Sequence, residues 1–131
     1  MLTITDGGSL AHALKTSIDR RLKRLLIERR DQLDGDIKNK ARFVIVRPGD
    51  TIEALEAALS FSVFQNPGDG TRFGDPDFTP GWEWIEDHDH IFELVFIFTD
   101  DGFAYVVMVE NKKGVDPDLL RLCRLYVTDR V

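Results

Sequence analysis

The stretch that most restricts the fold is residues 91–110, IFELVFIFTDDGFAYVVMVE. Asp101-Gly102 offers the positive backbone angles of a tight hairpin turn between two apolar runs. A two-residue loop pairs Leu94 with Val109, Phe96 with Val107 and Phe98 with Tyr105 on one face. Val95 then meets Met108, Ile97 meets Val106 and Thr99 meets Ala104 on the other. Both faces are apolar, and such strands are central and need cover on both sides. Helices must therefore lie on both sides of the sheet, or a second copy must cover one face in a homodimer. A three-residue Asp100-Asp101-Gly102 loop with a bulge shifts the register by one.

The rest of the chain supplies elements to surround this hairpin. Residues 9–33 read as one long amphipathic helix, with Leu10, Leu14, Ile18, Leu22, Leu25, Leu26 and Leu33 at helical spacing. Asp6 or Ser9 is placed to cap its start, and Gly35 to stop it. Residues 41–47, ARFVIVR, form a short strand ended by Pro48-Gly49. Asp50 then caps a helix, TIEALEAALSF, with Glu53 three residues later as in a capping box. Residues 66–81 are a loop dense in Gly and Pro. Trp82–Asp87 is read as a strand. Asp116 caps a last helix, with Pro117 at its first position. The order is α-β-α-β-β-β-α. The expected class is α+β, a mainly antiparallel sheet of about four strands with three helices. Its 131 residues fit a single domain, 1–131.

Charge is laid out unevenly. Residues 1–47 hold 11 Lys/Arg against 6 Asp/Glu, and residues 111–131 hold 5 against 3. Residues 48–110 hold 14 acidic residues against one basic residue, Arg72. Such segregation steers a charged partner. The expected partner is a basic protein that meets the acidic middle segment. Within that segment Trp82, Glu83, Trp84, Glu86, Asp87 and Asp89 combine aromatic anchors with negative charge, the composition of a contact surface. Nucleic acid is not the expected partner, because the pI is near 5.0 and Asp19, Glu28 and Asp31 interrupt the basic helix.

Catalytic candidates are few. His88 and His90 are two apart, so on a regular strand they point the same way and can share a metal with a nearby carboxylate. Neighbouring Glu86, Asp87 and Asp89 favour protonated imidazole, which works against metal binding. Glu93 lies opposite Glu110 in the two-residue register, with Lys112 two further along. Opposed carboxylates repel unless a cation lies between them. A strand ending in Glu-x-Lys, as in Glu110-Asn111-Lys112, resembles the restriction-nuclease-like fold. That resemblance covers a three-residue pattern plus the adjacent hairpin and implies a divalent ion that activates water. Asp100 and Asp101 sit at the far end of the strand, about 25 Å away at about 3.3 Å per residue. Only Glu93 is then left as the family's preceding acidic residue. The glycine loop has no Lys-Ser/Thr for a phosphate, and Asp69, Asp75 and Asp77 do not match a calcium loop.

The reading is thus a non-enzymatic binding module without a cofactor. A metal-dependent hydrolase or nuclease is the first alternative and a structural homodimer subunit the second. Cys123 is a lone cysteine in a leucine-rich helix, which suits a buried thiol and a reducing compartment. The longest apolar run, residues 103–109, is far below the roughly 20 residues of a membrane helix. A cytoplasmic protein is expected, with no membrane contact.

Overall fold

The computed structural model describes residues 1–15, 20–59, 91–100 and 103–127. Its elements run β1 (Leu2–Ile4), α1 (Gly7–Lys15), α2 (Arg20–Glu28), α3 (Arg30–Lys38), β2 (Ala41–Val46), α4 (Ile52–Leu59), β3 (Phe92–Asp100), β4 (Phe103–Glu110) and α5 (Pro117–Val127). The class is α+β. The sheet is four-stranded with order β1-β2-β4-β3. β1–β2 and β3–β4 are antiparallel, but β2 and β4 run parallel, so the sheet is mixed.

This corrects the expected three helices and mainly antiparallel sheet. Five helices lie among the described residues. The leucine stripe of residues 9–33 runs in phase past Arg29, so it conceals the break there, where φ of −105° and ψ of 14° leave the helical region. The hydrogen bonds Arg29 N to Leu25 O and Leu33 N to Arg29 O nevertheless bridge α2 and α3. Gly35 lies inside α3. The stop comes later, at Lys40, whose φ of 70° is the left-handed conformation that ends many helices. The strand Leu2–Ile4 was not foreseen, since three residues give too short an alternation to read. The strand expected at Trp82–Asp87, like the loop 66–81, lies outside the described residues.

The hairpin register follows the two-residue reading from Leu94↔Val109 to Asp100↔Phe103. Its two apolar faces are both covered by helices of the same chain. On one side Phe43, Ile45, Val106 and Met108 pack with Leu10, Leu22, Leu25, Leu26 and Leu33 of α1–α3. On the other Val44, Val46, Val107 and Val109 pack with Leu55 and Leu59 of α4 and Leu119 and Cys123 of α5. Cover from a second chain is thus not needed for the sheet.

Local signals set the helix starts. Ser9 N donates to Asp6 Oδ1 at 2.7 Å, and Asp6 N donates back to Ser9 Oγ at 3.0 Å. Asp6 is the cap of α1 and Ser9 its reciprocal partner. Ser9 N–H is the main reason the Asp6 carboxyl is held below its usual range. At α4 the cap is Thr51, whose Oγ1 accepts from Ala54 N at 3.1 Å. Asp50 turns the other way, accepting the Arg47 N–H at 2.8 Å. α5 begins as the sequence suggests, with Asp116 Oδ1 accepting from Asp118 N and Pro117 at the first position. No helix among the described residues is long and apolar enough to cross a membrane.

Candidate functional site

β2 and β4 end together. Val46 pairs with Val109, so Arg47, the first residue past β2, comes beside Glu110, the last residue of β4. Carboxyl ends of parallel strands are where open sheets with crossover connections place ligands. Alternation along each strand puts Arg47 and Glu110 on the α1–α3 side, one step beyond Ile45 and Met108.

Glu110 is the one buried charged residue among those described. Its side chain is 1% exposed. Arg47 Nε lies 3.8 Å from Oε1, and Lys112 Nζ lies 3.8 Å from Oε2. These are ion pairs, longer than a charge-assisted hydrogen bond. The cations reach outward, with Arg47 27% and Lys112 37% exposed. Asp50 adds a second carboxylate beside Arg47 and also lies 3.0 Å from the Met1 amino group. Two loops carry this cluster. Gly49 N donates to Gly114 O at 3.3 Å, and both glycines hold positive φ, 89° and 99°. A Cβ on Gly114 would sit 3.3 Å from Pro48 Cβ, so the close approach of the loops also depends on glycine.

Glu93 does not lie opposite Glu110. The register shifts between Phe92 and Leu94, and Phe92 takes the place opposite Glu110. Glu93 is the extra residue of a β-bulge. The shift is visible in the packing, since Phe92 joins Val95 in one core while Leu94 and Phe96 lie in the other. The bulge sends Glu93 toward α5, where Arg124 Nη2 donates to its Oε1 at 2.8 Å. The physical reason is charge. A regular pairing would set two carboxylates against each other, whereas the bulge gives each its own cation.

Of the sequence candidates, the structure brings Glu110 and Lys112 together and gives Glu93 a separate partner. Trp82, Glu83, Trp84, Glu86, Asp87, His88, Asp89 and His90 lie outside the described residues. Among the described residues no three His, Cys, Asp or Glu side chains come close enough to hold a metal ion. Sequence reasoning missed Arg47, Asp50 and Arg124. The available signal was Arg47 itself, a charge directly after a buried apolar run. Cys123 is buried, and desolvation pushes its thiol up to about 12. A thiol in that state is not a nucleophile at neutral pH.

A second feature is a pocket of about 260 Å³ between α1 and α3, with Leu10, Ala11 and Leu14 facing Arg30, Asp31 and Asp34. Asp34 is engaged by Lys38 at 3.0 Å within the same helix. No family model, curated protein or solved structure matches this chain.

Proposed function

We propose that the protein is a small non-enzymatic binding module that recognises a basic partner through its acidic middle segment. The observation that carries this reading is the ratio of 14 acidic residues to one basic residue across residues 48–110. Internal pairing refines it. Asp50, Glu93 and Glu110 are each held by cations of the same chain, so they do not serve a partner. Most of the segment's other acidic residues lie in residues 69–89, where Trp82 and Trp84 are the apolar anchors of this reading. The hydrolase alternative takes two forms: the His88/His90 form lies outside the described residues, and the other requires Glu93 and Glu110 to share one ion. Their separate pairing with Arg124 and with Arg47 and Lys112 gives that second form no support.

The test is fluorescence anisotropy with a labelled octa-arginine peptide as the basic probe. Binding at low salt should fade as salt rises through the range where the Debye length falls to about 10 Å. A variant with Glu83→Gln, Glu86→Gln, Asp87→Asn and Asp89→Asn should lose at least about tenfold in affinity, equal to about 1.4 kcal/mol. Absence of binding at low salt, or equal binding by the neutralised variant, defeats the proposal.

A further inference from the structure

The helix α2 has two faces of opposite character. Leu22, Leu25 and Leu26 form its inward stripe, each 1% exposed or less. At 100° per residue, Arg20, Lys23, Arg24 and Ile27 fall on the opposite side. Ile27 is 55% exposed, the one large apolar side chain so exposed among the described residues. It stands three residues after Arg24 and four after Lys23, so the two cations flank it on the helix surface. Residues 20–30 hold six cations and one anion in a chain of net charge −6. The anion, Glu28, meets Arg24 at 3.5 Å, but Arg24 is 81% exposed and that pair is open to exchange.

We propose that this outward face of α2 docks an acidic amphipathic helix of another protein. The inference is independent of the reading of the acidic segment. Arg20 and Arg24 are one turn apart, about 6 Å along the axis, which matches glutamates four apart on a partner helix. Ile27 between the cations asks for an apolar side chain on that same partner face. Phosphates of a nucleic acid offer nothing apolar to Ile27. A membrane is disfavoured because the leucine face that would enter lipid is already buried beneath α1 and α3. An acidic helix supplies both the charge and the apolar contact.

The test uses the full chain and a labelled peptide with glutamates four apart and leucines on the same face. Controls are a scrambled peptide of the same composition, a 20-base-pair DNA duplex and phosphatidylserine vesicles. The patterned peptide should bind best. Ile27→Asp should weaken it at least tenfold, and Arg20→Gln with Arg24→Gln should weaken it further. The urea midpoint of each variant should match the parent, which excludes loss of folding as the cause. Binding of octa-arginine should be unchanged by Ile27→Asp, so failure here is separable from failure of the acidic-segment reading. The inference is overturned if the patterned peptide does not bind. It is equally overturned if the scrambled peptide, DNA or vesicles bind as tightly, or if Ile27→Asp leaves affinity unchanged.

Discussion

Arg47→Met tests the buried charge cluster most directly. The substitution keeps the aliphatic stem and removes the guanidinium 3.8 Å from Glu110. Unit charges near 4 Å apart attract by about 4 kcal/mol at an effective dielectric constant near 20. The cost of desolvating both groups offsets much of that attraction in the intact pair. Removing only the cation leaves the carboxylate inside without it, and breaking a buried pair in this way costs about 3–5 kcal/mol. Lys112 remains at 3.8 Å from the other oxygen, so the lower end, about 3 kcal/mol, is expected. The reverse change is cheaper. Glu110→Gln leaves Arg47, and a guanidinium 27% exposed can recover hydration that a carboxylate 1% exposed cannot. Its expected cost is about 1–2 kcal/mol, near that of a lost charged hydrogen bond. The double variant Arg47→Met with Glu110→Gln should be more stable than Arg47→Met alone, because no orphan carboxylate remains. Urea unfolding followed by circular dichroism gives all three values, provided the slope with denaturant is unchanged. The reasoning is refuted if Glu110→Gln costs more than Arg47→Met, or if the double variant costs the sum of the singles.

Other outcomes follow from the same structure. Leu26→Ala should destabilise by about 2–5 kcal/mol, while Ile27→Ser on the opposite side of the same turn should stay within about 0.5 kcal/mol. Denaturant melts of the two variants compare them directly. Cys123 should resist thiol reagents in the folded state and react once urea unfolds the chain. Its raised value, about 12 against 9.0, means the native state holds the proton longer. That stability is full below pH 9 and is lost as pH rises toward 12. Asp6 has the opposite sign, because its carboxyl is lowered in the fold. Its contribution is present above the unfolded value of 3.8 and is lost as pH falls through the folded value. Thermal melts of Asp6→Ala should therefore fall below the parent at neutral pH and converge with it in strong acid. Gly114→Ala should lower the melting temperature, since it forces a Cβ at φ 99° toward Pro48.

Much of the hairpin was legible because its determinants are local. The pairing of Asp100 with Phe103 agrees with the two-residue loop read from the sequence, and alternation fixes which residues face each other. The bulge at Glu93 was not legible, because it answers to Glu110 and Arg124, which only the fold brings near. The same holds for the parallel pairing of β2 with β4. A parallel register leaves no turn in the sequence to announce it. The pairing of buried Glu110 with Arg47 was not legible for the same reason, since the parallel register is what brings the two together. Capping was partly legible. Asp6–Ser9 and Asp116–Pro117 are local patterns that formed, whereas Asp50 was claimed by the Arg47 backbone and left the capping of α4 to Thr51.

The parallel pairing also sets an order of events. Ala41 of β2 pairs with Ala104 of β4, far along the chain. Contacts of such large sequence separation slow folding toward the millisecond-to-second range. During synthesis at about 5–20 residues per second, β2 emerges several seconds before its partner. For that interval the apolar strand Phe43–Val46 has β1 on one edge and nothing native for the other. An unfilled edge of this kind recruits foreign strands. Chains truncated before Phe103 should therefore aggregate, and the time needed to complete the sheet sets how long that edge of β2 stays open.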